Sequence, residues 1–328
     1  MTAGMRWTDH AHQNLDGLLQ NLVAEGRLAL QHGLDATPAQ IVESNRDLLL
    51  DIVERSLPLA KVMDHSDLVL HAEGRAVHSH HPQLGAFNWL SLVAERTVRR
   101  LSSHLFDLSE RDAKRLGREL DLRLTGIAAG SLYVGFCIAD APAGLLGEAG
   151  EPVITSIRES VHKLPDTAAQ IGRESISAEI NELLPDPAQR DLSLEALLSL
   201  SPTGKRGISS LDISTPGHAS STLSPRERVI LKDALRNPRL SNRKAGQFVG
   251  RLHEIDLETR RFHLREVLTV GSLRCVITTL TKEQGKALLG EWVRVRGEYE
   301  TDRQGRPRLM LVSSAEALPS APQQPLLT

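Results

Sequence analysis

The feature that most constrains the fold of this chain is an alternation of residue types near its C-terminus, in the stretch GEWVRVRGEYETDRQGRPRLMLVSS at residues 290–314. Val293 and Val295 lie on one parity of the first run, with Arg294 and Arg296 on the other. A Gly-bearing turn follows, and a second run alternates Leu309 and Leu311 with Arg308 and Met310. Alternation with a period of two is typical of strands that bury one face. The stretch therefore predicts two consecutive strands, with Leu309 and Leu311 facing the core.

The residues before this stretch predict three more strands, at 247–256, 261–267 and 272–279, and a short helix at 281–290. The order strand–strand–strand–helix–strand–strand resembles that of the OB-fold, a five-stranded Greek-key barrel. The alternation slips at Gly250, as expected where one strand bends to serve both sides of a barrel. The resemblance is one of pattern and covers a small part of the chain. An SH3-like or other small barrel is the alternative.

The rest of the chain is dominated by helical periodicity, with two apolar strand patterns on either side of residues 128–130. The predicted fold class is therefore α+β, with a helix-rich N-terminal α+β domain followed by the small five-stranded barrel. Between residues 201 and 224 the chain is rich in Ser, Thr, Gly and Pro, which is typical of a domain boundary. The predicted organisation is a helix-rich domain at 1–200, a linker with a short strand and a capped helix at 201–245, the barrel at 246–318, and a disordered tail at 319–328.

Composition limits the classes of partner. The net charge of −2 gives no overall attraction to nucleic acid or anionic membrane, so such a partner would need a local basic patch. The first residues are too polar for a signal peptide, and no apolar run reaches the length of a membrane span. Cys137 and Cys275 lie far apart in apolar runs, which predicts buried free thiols in a reducing compartment. We expect a cytoplasmic bacterial protein that does not bind membranes.

The outward parity of the predicted barrel carries the residues expected to bind a partner: Arg261, Arg265, Arg274, Trp292, Arg294 and Arg296. Arginines that follow phosphates beside a ring that stacks on bases are typical of single-stranded nucleic-acid grooves. Acidic residues nearly cancel this charge, namely Glu254, Asp256, Glu258, Glu266, Glu298 and Glu300. The alternatives are a solvated face of mixed charge and a surface covered by the other domain. The predicted partner is a protein, or a single-stranded nucleic acid.

A histidine-rich segment suggests a second kind of site. His71, His78 and His80 lie close together with carboxylates nearby, and three converging ligands of these types could hold zinc. The spacing matches no recognised metal motif, so a solvated hairpin is the main prediction, and neither a metal nor a cofactor is predicted. No phosphate loop, nucleophile elbow, Cys-x-x-Cys pair or His-Glu-x-x-His motif occurs, so the sequence indicates no catalytic residue.

These observations favour a non-catalytic binding protein whose C-terminal barrel contacts a partner protein or single-stranded nucleic acid. By analogy of layout alone, it would be an accessory or sensor component of a toxin–antitoxin or phage-defence system. The alternative is an enzyme of unrecognised, nuclease-like type that uses the barrel to bind its substrate.

Overall fold

The computed structural model describes residues 6–33, 37–78, 81–105, 120–128, 131–140, 150–241, 243–256, 260–268, 270–277 and 282–319. These residues form two compact units, each assembled from separate segments of the chain. Unit 1 draws on Met1–Val98, Arg118–Asp166 and Leu200–Pro225. Unit 2 draws on Arg99–Gly117, Thr167–Ser199 and Arg226–Thr328.

Unit 1 is a five-stranded sheet with helices. Its elements are α1 (Trp7–Gln31), α2 (Pro38–Ser44), α3 (Arg46–Asp51), a π-helical turn (Ile52–Ser56), α4 (Leu57–His65), β1 (Leu68–Glu73), α5 (Leu84–Leu105, of which the part to Val98 belongs here), β2 (Leu122–Ala128), β3 (Leu132–Ile138), α6 (Gly150–His162), α7 (Leu164–Ala169, to Asp166), β4 (Ser210–Ser214) and β5 (Ser221–Leu223). The strand order is β2-β3-β1-β4-β5, and the pairings are antiparallel. The central strand is therefore β1.

The two faces of this sheet differ in polarity. Leu70 on β1 is paired with Val134 on β3 and Ile213 on β4, and all three are fully buried. One residue further along, His71 lies directly opposite Tyr133 on β3 and Asp212 on β4. Because successive side chains alternate between faces, these three share the opposite face of the sheet.

Helix α4 packs on β2 and β3 at the end of the sheet away from His71. Glycine at position 135 makes this approach possible, because a Cβ there would collide with the side chains of Val62 and Ser66. Near its C-terminal end, α4 also anchors α1: the Asp64 carboxylate accepts hydrogen bonds from the N–H groups of Trp7 and Thr8, at 2.8 and 2.9 Å. Two N–H groups that a helix start leaves unpaired are satisfied in this way.

Unit 2 is a closed β-barrel with helices. Its elements are α8 (Ile180–Leu183), α9 (Pro187–Leu200, to Ser199), α10 (Pro225–Arg236, from Arg226), β6 (Lys244–Asp256), β7 (Arg261–Val267), β8 (Gly271–Ile277), α11 (Lys282–Leu288), β9 (Trp292–Thr301) and β10 (Pro307–Leu318). The barrel closes in the order β10-β8-β7-β6-β9, with β8 and β10 parallel and the other pairs antiparallel. Phe262, Leu264, Leu273, Val293 and Val295 are among the residues that fill it.

The structure confirms the predicted fold class, α+β, with a closed five-stranded barrel in the C-terminal region. It corrects the orientation of the last strand. Met310 and Val312 face the barrel core, whereas Leu309 packs in a smaller cluster with Leu240 and Val276. The pairing of β10 with β9 shifts register between Pro307 and Leu309, and a one-residue shift exchanges the two faces of a strand.

The interval predicted as linker, 201–245, holds the strands β4 and β5 and the helix α10. Its Ser- and Thr-rich residues form strands because β4 pairs along the central strand β1. In the structure residues 200–225 belong to unit 1 and the helix that follows belongs to unit 2. The predicted domain boundaries stay a prediction. Of the predicted tail, residues 320–328 lie outside the described residues.

Among the residues that the structure describes, no helix combines the length and the apolar character needed to cross a membrane. Both cysteines are free thiols. Cys275 is buried in the barrel, and Cys137 on β3 is half-buried. Burial raises the pKa of both thiols, so neither is prone to form the reactive thiolate.

Candidate functional site

The structure divides the six residues predicted to bind a partner into two groups. Arg261 and Arg274 belong to the first, and both are buried, with 3% and 4% of their surface exposed. Their guanidinium groups contact Asp191 and Glu195, two buried acids on α9. Arg261 Nη2 lies 2.6 Å from Asp191 Oδ1, Arg274 Nε lies 2.6 Å from Asp191 Oδ2, and Arg274 Nη2 donates to Glu195. We call these four residues the buried charge cluster.

The pKa values of Asp191 and Arg274 are shifted by their partners in the buried charge cluster. Burial alone would raise the pKa of Asp191, but the charges and hydrogen bonds of Arg261 and Arg274 outweigh it and hold that pKa well below its usual range. Burial alone would likewise lower the pKa of Arg274, and the carboxylates of Glu195 and Asp191 raise it instead. Asp191 and Arg274 therefore stay ionised at physiological pH, in mutual contact.

The barrel surface that carries Arg261 and Arg274 is thus packed on α9. Sequence reasoning missed the two acids, although a signal was present. Asp191 and Glu195 are four residues apart in DLSLEALLSL, so they share one face of an otherwise apolar helix. A pair of acids within a buried helix requires cationic partners. The two arginines of β7 and β8 supply them.

The second group lies on the outer surface of the barrel, around β9. Arg251 on β6 is directly opposite both Arg265 on β7 and Trp292 on β9. Arg294 and Arg296 follow Trp292 along β9 on the same parity. Arg251 and Arg296 are exposed, and the other three are partly exposed. We call these five residues the β9 face.

Arg251 was not among the predicted site residues. The strand alternation slips at Gly250, immediately before it, because a Cβ at Gly250 would meet the carbonyl of Arg265 and the side chain of Val267. The slip hid which parity of β6 faces outward. In the structure, Arg251 and Arg265 form a directly opposed like-charge pair, an arrangement that is unfavourable unless an anion relieves it.

Within the described residues, the β9 face is only partly neutralised. Arg251 Nε donates to the carbonyl of Gly290 at 2.9 Å, and Arg296 Nε donates to Gln247 at 2.9 Å. The Nε of Arg294 is buried and has no hydrogen-bond partner among the described atoms. An unsatisfied buried donor costs about 1–3 kcal/mol.

Several of the acids expected to cancel the arginines are engaged elsewhere. Glu300 is buried and accepts a hydrogen bond from the buried Arg190 at 2.7 Å. Glu298 pairs with Arg243 at 3.4 Å. Glu316 is exposed on β10 directly opposite Arg294. Glu258 lies outside the described residues. The β9 face consequently has a net positive charge in its own neighbourhood.

Unit 2 also contains a cavity of about 370 Å³ lined by residues of α8, α9 and α10 and the segments beside them. The volume is within the range of small-molecule sites. Two of its charged lining residues, Arg190 and Asp191, are already engaged in ion pairs within the unit. The cavity therefore offers a ligand little free charge at that wall.

Of the three histidines considered as a metal group, His71 and His78 are described, and the grouping itself stays a prediction. His78 is exposed, and His80 lies outside the described residues. His71 instead belongs to a polar group on the sheet of unit 1. Among the described residues, the group whose ligand atoms converge, within 4.8 Å of one another, is His71, Glu73 and Asp212.

Both ring nitrogens of His71 are hydrogen-bonded. Its Nδ1 lies 2.8 Å from Asp212 Oδ2, and its Nε2 lies 3.0 Å from the hydroxyl of Ser131. The ring stacks on Tyr133, with centroids 3.8 Å apart and an interplanar angle of 4°. Thr222 donates a hydrogen bond to the other oxygen of Asp212 at 2.6 Å. Three residues that are distant in sequence are thus joined in one chain, Ser131–His71–Asp212, which we call the His71 triad.

In comparisons with protein-family models, curated proteins and solved structures, the chain matches none. The function of the site is therefore argued from its residues.

Proposed function

We propose that the protein is a binding protein whose C-terminal barrel is OB-like and holds single-stranded nucleic acid on the β9 face. The observation that carries the proposal is the opposed pair Arg251 and Arg265 beside Trp292. Cationic groups that follow a phosphate backbone and a ring that stacks on bases are the two components of such sites.

The topology supports an OB-like assignment. A helix lies between the third and fourth strands of the barrel, and the fifth strand closes it by pairing with both the third and the fourth. OB-folds commonly bind oligonucleotides over their second and third strands. In this chain those strands are β7 and β8, and Arg261 and Arg274 on them are engaged with α9. We therefore place the proposed binding face around β9, with Arg251 of β6 and Arg265 of β7 beside it.

The electrostatics favour a polyanion over a neutral partner. Each phosphate that meets an arginine releases condensed counterions, so an elongated anion gains more from the row of arginines than a single carboxylate does. A protein partner with an acidic surface would use the same charges but would not need the exposed ring of Trp292 to stack on bases.

The test is fluorescence anisotropy with labelled single-stranded DNA and RNA oligonucleotides, measured on the full chain at several salt concentrations. We expect affinity to fall steeply with salt. Trp292→Ala should weaken binding by about 1–3 kcal/mol with little change in the salt slope, because stacking releases no counterions. Arg294→Glu with Arg296→Glu should flatten the slope.

The matched control is Arg236→Glu, which reverses an exposed arginine on α10, outside the β9 face. It should leave binding nearly unchanged. If no oligonucleotide is retained even at low ionic strength, the nucleic-acid proposal is wrong and an acidic protein partner becomes the better explanation of the face. Participation in a toxin–antitoxin or phage-defence system stays a prediction.

A further inference from the structure

The His71 triad lies in unit 1 and plays no part in the β9 face. We propose that it is a hydrolytic site in which Ser131 is the nucleophile, His71 is the general base and Asp212 positions His71. Its substrates would be uncharged or cationic carboxylic esters or amides. The function so inferred is independent of nucleic-acid binding by the barrel.

The first support is the order of the hydrogen bonds. A carboxylate can only accept, so the contact with Asp212 places the imidazole proton on Nδ1. The lone pair of Nε2 then faces the hydroxyl of Ser131, 3.0 Å away. This is the tautomer that a serine nucleophile needs in its base. Such triads recur on unrelated folds and are recognised by geometry rather than by sequence order.

The second support is that both partners of the base are held in place. Thr222 donates to the oxygen of Asp212 that does not face the ring, so the carboxylate is fixed at both oxygens. The Tyr133 ring stacks on the imidazole, which fixes its plane. The register of three adjacent strands sets these positions, since His71 lies directly opposite both Tyr133 and Asp212. Rigid strands position such groups better than loops do.

The third support is the backbone of Ser131. Its φ is 84°, in the left-handed region where a residue with a side chain is strained by about 1–3 kcal/mol. Glycine would adopt this conformation at lower cost, yet the chain has serine at this turn between β2 and β3. Nucleophilic serines of many hydrolases occupy a similarly strained turn that presents the hydroxyl outward. Ser131 is partly exposed, so a substrate can reach it.

The proposed reaction needs no component other than substrate and water. The Ser131 oxygen bonds to the acyl carbon while its proton passes to His71 Nε2. The bond to the leaving oxygen or nitrogen breaks, and that atom takes the proton from Nε2. Water then attacks the acyl-serine, giving its proton to Nε2, and the acid is released as Ser131 regains a proton. Throughout, the Asp212 carboxylate stabilises the transient imidazolium.

The charges around the triad select the class of substrate. Glu73 is exposed on the same face as His71, with its carboxylate close to that of Asp212. Two carboxylates beside the nucleophile repel phosphate esters and other anions. Uncharged or cationic acyl groups are not repelled. The negative charge also distinguishes this site from the arginine-rich β9 face.

The rival chemistry for these residues is a metal ion held by His71, Glu73 and Asp212. The observed hydrogen bonds favour the hydrolytic arrangement. Both nitrogens of His71 are already engaged, by Asp212 and Ser131, so a cation bound to the ring would have to displace one of them. Glu73 accepts a hydrogen bond from Ser210 at 3.3 Å.

The experiment is reaction of the full chain with a fluorophosphonate probe, followed by mass spectrometry to locate the label. We expect one label per chain, on Ser131, and none on Ser131→Ala. His71→Gln should slow labelling by about 10²–10⁴-fold, the usual contribution of a general base. Ser214→Ala, at a partly exposed serine of β4, is the matched control and should label at the wild-type rate.

Asp212 acts through His71, so its test needs a signal that a purely structural role would not change. The hydrogen-bonded Nδ1 proton of His71 should give a separate downfield resonance in proton NMR spectra. Asp212→Asn should shift this resonance upfield or remove it and should slow labelling by orders of magnitude, while leaving the melting temperature close to wild type.

An unlabelled wild-type chain would overturn the proposal, and so would labelling that His71→Gln leaves unchanged. If His71→Gln does not fold, the ratio of Ser131 to Ser214 labelling in the wild type decides, because an unactivated Ser131 would react no faster than Ser214. Stoichiometric zinc binding that Glu73→Gln removes, in a chain that the probe does not label, would establish the metal site instead.

Discussion

The buried charge cluster of unit 2 and the His71 triad of unit 1 share the same hydrogen bonding around an aspartate, and they differ in how far their side chains are exposed. In each, an aspartate accepts hydrogen bonds at both oxygens, and the partners come from neighbouring strands or a helix. In the cluster, however, carboxyl groups meet guanidinium groups, and none of the four residues has more than 4% of its surface exposed. In the triad, 26% of the Asp212 side chain and 11% of the His71 side chain are exposed.

The comparison separates polar groups that hold a fold together from polar groups that are available for chemistry. In the buried charge cluster the two acids and the two arginines are engaged with one another. An imidazole between a carboxylate and a hydroxyl, near solvent, can accept a proton and pass it on. The degree of burial and the presence of an imidazole ring therefore distinguish the two better than the number of hydrogen bonds does.

The largest expected effect is loss of stability in unit 2 on removing one charge of the cluster. Asp191→Asn leaves Arg261 and Arg274 buried with one carboxylate between them, and an uncompensated buried charge costs about 3–5 kcal/mol. Hydrogen exchange of the amides in β6–β10 measures this directly. Glu283→Gln, at an exposed acid of α11, is the control and should change exchange little. A loss below about 1 kcal/mol for Asp191→Asn would mean that the cluster is not what holds α9 to the barrel.

The next expected effect is also on the stability of unit 2, but replacing the whole cluster should preserve or raise that stability. Replacing the whole cluster by apolar residues of similar volume removes the cost of burying four ions together with their attraction. Such replacements are often neutral or stabilising by about 1–4 kcal/mol. The variant Asp191→Leu, Glu195→Leu, Arg261→Met, Arg274→Met should therefore protect the same amides at least as well as wild type. If it unfolds like Asp191→Asn, the cluster specifies the packing of α9 in a way that apolar contacts do not reproduce.

The sequence was sufficient to predict the barrel and insufficient to predict either cluster. The alternation at residues 292–296 involves only neighbouring residues, and such a pattern is sufficient to predict a strand. By contrast, Arg261 meets Asp191 across 70 positions of sequence, and His71 meets Asp212 across 141. No spacing rule links such residues. Only the register of β1 with β4 brings His71 and Asp212 together.

The difference between sequence patterns and strand register also explains why the predicted orientation of β10 was wrong. Leu309 and Leu311 alternate in sequence as an inward pair would, but Met310 and Val312 are the residues in the barrel core. The register shift before Leu309 is a local irregularity that composition does not reveal, because leucine, methionine and valine are equally acceptable in a core.

A smaller expected effect is the loss of stability of unit 2 as the pH falls. The folded state lowers the pKa of Asp191 below the value of about 3.9 of an unfolded chain. Unfolding therefore takes up a proton as pH falls below about 4, so the stabilisation is fully present above that pH and is lost as pH falls toward the folded pKa. Exchange protection of β6–β10 should decrease from pH 5 to pH 2.5 in wild type. Asp191→Asn, less stable throughout, should show a shallower decrease, and parallel curves would contradict the assignment.

The smallest expected effect on stability is that of Asp212→Asn, the matched change in the other unit. The carboxylate of Asp212 is partly exposed, and each of its hydrogen bonds contributes about 0.5–1.5 kcal/mol, part of which the amide oxygen of asparagine retains. We expect a loss of about 1 kcal/mol or less in the protection of β1 and β4, against several times that for Asp191→Asn. The reactivity of Ser131 should nevertheless fall by orders of magnitude. If Asp212→Asn destabilises its unit as strongly as Asp191→Asn does, the His71 triad is a structural element like the cluster. In that case partial exposure and the presence of an imidazole ring would not separate a reactive site from a structural cluster.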